Sequence, residues 1–375
     1  MKNLFTLLII SAVIFGCSSG KKALEQGDYD RAVTQAVNRL QKKPDHKKAR
    51  NTLNKAYYYA LNYHHENIER YKAEMNPFKW EKVVTEYQRI NNMSNQVRRC
   101  PACLKEIPRP TIYTTELNNA RSFAAQKRYE LGDQAMRFKN NRNKAIEAHQ
   151  HYTRANQLIS SYKDVRQKIE EALYYATLRV VVEDIPSPTR AFQLNQDFFT
   201  NKVNEYLHRQ QTNPYVQFLT PAEARGRQDD WVDHVIRMEF DRFNIGNVTN
   251  NKFTEEVTRD SVILTRRNNE PIYGTVKARL TVHEKSVGGS GLLDFQIRDL
   301  NLNRVITQEK FPSSYDWSIR WATFNGDERA LSEEQLDMVN RVEMDIPGPQ
   351  RMFEEFAAPL YDQVIRKINS YYRNY

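Results

Sequence analysis

Polar and apolar positions change rhythm once along this chain, near Leu178, and the two rhythms predict two kinds of structure. From Ala23 to about Tyr175 glycines and β-branched runs are few, while Ala, Leu, Tyr, Lys and Gln dominate, a composition that favours helix. Beyond Leu178 the period drops to two. Leu178-Arg179-Val180-Val181-Val182-Glu183 is a short β-branched run, Tyr215 to Leu219 reads as a second strand, and Pro221 to Arg227 as a short helix. Between the two strands, Ser187-Pro188 has the form of an N-cap followed by a first-turn proline, and Phe192, Phe199, Val203 and Tyr206 then share one helix face. Three alternations follow: Ile236, Met238 and Phe240; Val276, Ala278, Leu280 and Val282; Leu293, Phe295 and Ile297. Polar residues interleave each set, which predicts strands that bury one face and pair antiparallel. Gly288-Gly289-Ser290-Gly291 reads as a hairpin turn between the last two, because it lacks the lysine and the strand-to-helix setting of a phosphate loop. Asn301-Leu302-Asn303-Arg304 supplies a reversal into a strand from Val305 to Phe311. Met352, Phe356, Leu360, Val364, Ile368 and Tyr372 recur every four residues in a closing helix, where Pro359 predicts a kink or a restart.

Within the helical region, Gly27-Asp28-Tyr29-Asp30-Arg31-Ala32-Val33, with Leu40 and Pro44-Asp45, resembles the second half of a tetratricopeptide repeat. Trp80, Val83, Tyr87 and Ile90 repeat the spacing of Tyr29, Ala32, Ala36 and Arg39, and Ala148, Tyr152 and Ala155 give a third set. Small residues at these places let one helix approach the next while the aromatic fills the space beside it. The intervals exceed the repeat's usual length, so the resemblance implies a degenerate array with lengthened helices; an ordinary α-solenoid without a ligand groove has the same pattern. Tyr57, Tyr58, Tyr59, Tyr63, His64 and His65 crowd one segment. Adjacent histidines point in different directions on a helix and no HExxH follows, so the aromatics read as packing and the histidines as surface.

The first residues decide where the rest works. Lys2 precedes an apolar run from Leu4 to Phe15 that is too short to span a bilayer comfortably and reads as a secretory signal. The run ends in Ile14-Phe15-Gly16-Cys17, which resembles the lipobox of bacterial lipoproteins. That resemblance implies acylation of Cys17 and cleavage before it; a plain signal peptide with an incidental cysteine is the alternative. Ser18 is not an acidic retention residue, which in such lipoproteins implies the outer membrane. The formal charge of the 375-residue chain is +10, unevenly spread. Lys and Arg outnumber Asp and Glu by 31 to 17 between Ser18 and Arg179, and are outnumbered 24 to 29 from Val180 onward. A basic half near a lipid suits anionic head groups or an acidic partner, and it is equally what solvated helices show. Nucleic acid is excluded as a partner by export and by the dispersal of the basic residues.

Cys100-Pro101-Ala102-Cys103 is the redox-looking motif. Leu104 follows it in place of the histidine of haem attachment, a second ligand pair for zinc is lacking, and the flanks are helix and prolines rather than βαβ. In an oxidising envelope this favours a local disulfide closing a turn, with two free thiols as the alternative. The stretch Tyr315 to Leu331 holds Trp317 and Trp321, then Asp327, Glu328 and Arg329, and Ser332 with Gln335 forms a capping box after it. It reads either as an exposed aromatic hot spot ringed by charge, with partner-binding candidates Trp317, Trp321, Asp327, Glu328 and Arg329, or as a strand on which Trp317, Ile319 and Trp321 alternate, with Trp321 and Phe324 in the core. Walker, GxSxG, HExxH and dinucleotide motifs are missing from the sequence, so neither catalytic residues, a metal site nor a cofactor is assigned.

The order strand, amphipathic helix, strand, short helix, antiparallel strands and closing helix is similar to a family of bacterial envelope domains. It includes the peptidoglycan-synthase activator lipoprotein, the curli secretion-channel subunit and the N-terminal domain of the Tol translocation protein. The resemblance covers Leu178 to Tyr375 and implies a non-enzymatic domain that docks on envelope proteins. The expectation is therefore an α+β multidomain chain. A signal peptide (1–16) and a lipidated terminus with a linker (17–22) precede a TPR-like α-solenoid (23–176), and an α/β sandwich with a mixed, largely antiparallel sheet (177–375) closes the chain. The expected role is a scaffold or regulator of an envelope machine serving cell-wall synthesis, outer-membrane assembly or secretion. It would be anchored in the outer membrane and face the periplasm, with envelope proteins and peptidoglycan as partners. A carbohydrate-binding protein or enzyme using a Trp317–Arg329 loop is the competing class. Replacing Cys17 by serine tests the anchor: the variant is expected to leave the detergent phase on phase partitioning and to lose labelling by palmitate analogues. Retention of both would remove Cys17 as the attachment point.

Overall fold

The computed structural model of the chain describes residues 18–186, 197–209, 213–226 and 231–375. The signal and lipidation residues Met1 to Cys17, together with Ser187, Pro188, Phe192 and Arg227, lie outside the described residues. The fold is α+β, with N-terminal helices followed by a mixed sheet, and it divides into two units between Ala176 and Thr177.

The first unit consists of α1 (Lys21–Glu25), α2 (Tyr29–Lys42), α3 (Lys47–Ala73), α4 (Lys79–Arg98), α5 (Pro101–Leu104), α6 (Thr114–Met136), α7 (Arg142–Leu158) and α8 (Val165–Ala176). Gly27 turns the chain between α1 and α2 at φ +76°, and the Asp28 carboxylate caps α2 by accepting from the Arg31 N–H. Ala32 and Ala36 on α2 share a core with Ala49, Ala56 and Ala60 on α3, all fully buried, so the two backbones approach closely. Farther along, Gly132 of α6 lies under the Tyr152 ring of α7. A β-carbon built there would stand 2.5 Å from the ring. Cys100 and Cys103 are joined in a disulfide across the four-residue α5, buried in the core that holds Leu40, Tyr57 and Val97.

His64 corrects the surface reading. Its ring is fully buried on α3, with Nδ1 2.5 Å from Glu86 Oε2 on α4 and Nε2 2.9 Å from Asp30 Oδ1 on α2. Glu86 is itself buried and also pairs with Arg89. Burial works against a charged ring here, but the hydrogen bonds and charges of Asp30 and Glu86 outweigh it, and the His64 pKa is raised above its ordinary value. One histidine ring thus ties three helices together. His65 is partly buried and meets the Tyr113 hydroxyl at 2.7 Å. The tyrosines divide as well: Tyr57 is core, whereas Tyr58, Tyr59 and Tyr63 are about half exposed, the last two flanking Tyr29.

The second unit is a six-stranded sheet. It contains β1 (Leu178–Val182), β2 (Val216–Leu219), β3 (His234–Ile245), β4 (Thr249–Arg267), β5 (Glu270–Asp299) and β6 (Arg304–Gly326). Helices α9 (Asp197–Arg209), α10 (Pro221–Gly226), α11 (Glu333–Val339) and α12 (Pro349–Tyr372) complete it. β1 runs parallel to both β2 and β3, while β5 is antiparallel to β3, β4 and β6. β3 and β4 lie end to end along the same side of β5, and β6 lies along the other.

The glycine run is not a hairpin turn. Gly288 to Gly291 sit inside β5, one continuous strand of 30 residues, paired to β6 throughout without a register slip there. A side chain at Gly291 would strike the Arg242 carbonyl and the Phe356 ring, both 2.6 Å from the β-carbon position. Glycine here lets α12 lie against the sheet backbone. Because the strand does not turn, its two alternating apolar sets point to opposite faces. Leu293, Phe295 and Ile297 pack with Phe199 and Val203 of α9 and with Phe353, Phe356, Leu360 and Val364 of α12. Val276, Ala278 and Leu280 face the other way and pack with Ala322, Leu331 and Leu336. α12 also passes through Pro359 without restarting.

The His64 cluster sets a pH dependence. A histidine whose pKa is raised on folding contributes stability fully below its unfolded value of about 6.5 and loses that contribution as pH rises through the native pKa. Calorimetric melts of wild type and His64→Gln from about pH 5.5 to 9 should therefore converge as pH increases. At low pH the variant should be less stable by roughly 2–4 kcal/mol. A difference that is constant with pH would show that His64 is neutral when folded.

Candidate docking surface

The chain expected to form a loop from Trp317 to Arg329 is strand up to Gly326, followed by a single 3-10 turn, Glu328–Ala330. Alternation along β6 places Phe311, Ser313, Tyr315, Trp317, Ile319 and Trp321 on the face that carries α12. Their cross-strand partners on β5 are Leu293, Gly291, Gly289, Val287, Lys285 and His283. Phe311 is buried beside α12, and the Ser313 hydroxyl donates to the Phe356 carbonyl at 2.8 Å. From Trp317 onward the side chains are only partly covered. Trp317, Ile319 and Trp321 do alternate on a strand, but they and Phe324 are half-buried, neither fully buried core nor freely exposed anchors.

Trp321 is held flat by its neighbour. The His283 ring stacks on the indole at 5.2 Å with planes 11° apart, and Lys285 Nζ lies 5.9 Å from the indole centroid. Lys285 also pairs with Glu343, on the segment between α11 and α12. That segment carries Val342, Met344 and Ile346, exposed at 76%, 55% and 40%. The result is an aromatic strip, Trp317-Ile319-Trp321, bordered by a cationic side chain and apolar residues that have not been buried by the fold.

The charged candidates sit elsewhere. Asp327 is six residues past Trp321 along an extended chain, roughly 20 Å away, and its carboxylate caps the 3-10 turn through the Arg329 N–H at 3.0 Å. Arg329 grips the same carboxylate with Nε and Nη2 and reaches the Ile263 carbonyl of β4 with Nη1. The hydrogen bonds from Arg329 hold the Asp327 carboxyl below its ordinary range. Asp327 and Arg329 therefore clamp the end of β6 to β4, and Glu328 is exposed on the turn between them. The capping box of Ser332 and Gln335 then starts α11.

On the opposite face of the three-stranded ribbon a groove of about 310 Å³ is lined by Asn251, Phe253, Val282, Glu284, Arg320 and Met338. Phe253 is 63% exposed, and Arg320 donates from Nε to Glu284 at 3.0 Å. The groove thus offers an apolar wall and an ion pair already matched internally. His283 and Lys285 were missed in the sequence because the Val276 to Val282 alternation ends just before them; the β5–β6 register brings them to Trp321.

No protein-family model matches this sequence, and no curated protein matches it. Among solved structures, a hypothetical protein from Chlamydia trachomatis aligns over 52% of this chain and 98% of its own, with 11% identity and a TM-score of 0.25. A neuraminyllactose-binding hemagglutinin homolog from Helicobacter pylori aligns over 52% of this chain and 84% of its own at the same identity and score. The MamA protein covers 42% of this chain and 78% of its own at 16% identity, with a TM-score of 0.12. Likenesses of this size carry no argument about function.

Partial burial of the tryptophans fixes the cost of removing them. Trp317→Ala and Trp321→Ala should each destabilise the second unit by roughly 1–3 kcal/mol, less than the 3–5 typical of a fully buried aromatic. Arg329→Ala should leave the strip intact and speed hydrogen exchange at residues 327–331. Denaturant titration and exchange mass spectrometry report the two effects separately.

Proposed function

We propose that this chain is a lipid-anchored envelope protein that scaffolds or regulates a multi-protein machine, docking a partner on the Trp317-Ile319-Trp321 strip. The observation that carries the reading is that strip: aromatic and partly uncovered, with Trp321 stacked on His283, and tied through Lys285 and Glu343 to a segment on which Val342, Met344 and Ile346 are exposed. Partly buried aromatics with a cationic rim are the residue types that dominate protein interfaces. The anchor rests on the sequence, on the resemblance of Ile14 to Cys17 to a lipobox, and so does the outer-membrane, periplasm-facing placement.

The helices α1 to α8 we read as a degenerate TPR-like solenoid, in which α2 with α3 and α6 with α7 form successive antiparallel pairs, extended by the long α3. The second unit we read as an envelope docking domain of the kind its strand and helix order resembles. Cell-wall synthesis, outer-membrane assembly and secretion are the machines such a domain serves, and peptidoglycan is a second candidate ligand for the aromatic strip.

Capture from solubilised envelope, with wild type beside Trp317→Ala and Trp321→Ala, tests the docking reading. Loss of a captured protein by about 2 kcal/mol, roughly 30-fold in Kd, with folding retained supports it. Equal capture by all three, or binding to isolated sacculi that survives both substitutions, removes the strip as the docking surface.

A further inference from the structure

The free edge of β6 is a second surface, and it is distinct from the strip because it offers backbone rather than side chains. Two hydrogen bonds fix which groups it presents. Asp327 N–H donates to the Lys277 carbonyl at 3.0 Å, continuing the ladder in which Ala278 faces Gly326. Odd-numbered residues of β6 therefore bond to β5, and even-numbered ones turn their N–H and C=O outward. Pro312 agrees: it has no N–H to lose, and its carbonyl is met at 3.4 Å by Gln363 of α12 rather than by β5. Past that point, among the described residues, no backbone bond is made to the outward groups of residues 314–324. Ser314, Asp316, Ser318 and Arg320 are exposed there.

The two long edges of the ribbon differ. β4 is irregular, with register shifts after Arg259 and Ile263 and a left-handed Ser261 at φ 62°, features that discourage pairing by another chain. β6 keeps one register with β5 from Thr307 to Gly326. A regular edge of that length without bulges is a template for strand addition.

We infer that the partner on this edge is a second copy of the chain, with the two β6 strands pairing antiparallel about a two-fold axis at Ser318. Residue spacing selects this register. An antiparallel pair centred on Ser318 sets Asp316 opposite Arg320 of the other copy, twice, on one face. On the other face it sets Trp317 beside Ile319 and Tyr315 beside Trp321. Outward residues meet outward residues, so Ser318 exchanges both backbone bonds with its own counterpart. The Arg320 guanidinium has donors for both carboxylates, since Nε and Nη2 already face Glu284 and Nη1 remains. Centring on Trp317 instead would place Asp316 opposite Ser318 and Arg320 opposite Ser314, matching no charges. The paired ribbons would form one sheet and lay the two aromatic strips side by side, running in opposite directions.

Site-directed cross-linking in intact cells producing the full chain tests the register. Residues on the axis lie about 5.5 Å apart between Cα atoms, so Ser318→Cys should give a covalent dimer with a short bis-maleimide. Ser314→Cys faces Ala322 of the other copy, far from its own counterpart, and should not; wild type controls for Cys17, and Cys100 with Cys103 form a disulfide. Adding Asp316→Arg to Ser318→Cys should reduce cross-linking at least fivefold, and adding Arg320→Asp as well should restore it, which separates pairing from misfolding. Equal cross-linking at residues 314 and 318, no cross-linking at 318, or no rescue by the double reversal would overturn the inference. So would a cross-link from Ser318→Cys to a different protein. None of these outcomes bears on capture through Trp317 and Trp321 from the uncovered face, so the two readings fail separately.

Discussion

Everything in the second unit depends on β5 remaining a single strand. A strand has two faces of fixed parity, and β5 buries Leu293, Phe295 and Ile297 on one and Val276, Ala278 and Leu280 on the other. The α9 and α12 layer covers the first set, while α11 and the 3-10 turn cover the second. Had the glycine run been a turn, both sets would have folded toward a common core. Instead the unit has two smaller cores on opposite sides of one sheet, and the region where cover passes from one side to the other leaves Trp317, Ile319 and Trp321 partly open. The candidate surface is a by-product of that handover.

In the first unit the organising choice is different. Its helices are held by small residues at close crossings, by large side chains such as Leu40, Leu53, Ile68 and Ile90 between them, and by a few buried polar ties. Glu81 shows the second device: Arg128 of α6 reaches it at 2.5 Å and Arg154 of α7 at 2.7 Å, so one carboxylate of α4 spans three helices. Burial alone would raise its pKa, and the two guanidiniums lower it instead. Arg128 and Arg154 are thus paired internally, and that part of the basic charge of this half is not available to an outside anion.

Local periodicity made the helices and most strand segments legible, because apolar spacing at 3.6 or 2 residues is a property of neighbouring positions. The change of alphabet at Leu178 is where β1 begins. What periodicity does not encode is whether two alternating segments belong to one strand, since a glycine run suits both a turn and a close approach of a helix; Phe356 decides it for Gly291. Long-range partners were equally hidden. His64 reads as surface from its own helix because Asp30 and Glu86 are 34 and 22 residues away. Trp321 gains its character from His283, which shares no local pattern with it. The five side chains suggested as one site separate into two members of a strip, the Asp327–Arg329 clamp and an exposed Glu328, because a strand spreads residues that a loop would gather.

The glycines have a packing consequence. Gly246 donates its N–H to Gly288 at 2.8 Å just where β3 ends and β4 has yet to begin, so two glycines face each other across neighbouring strands there. Along the strands the ladder resists extension, because load is shared in shear by many parallel hydrogen bonds. At that level β5 itself has no side chain at Gly288, Gly289 and Gly291. The ribbon thus carries its backbone pairing unbroken past a stretch where β5 contributes little side-chain volume, and Phe356 of α12 and Asp316 of β6 occupy the space instead.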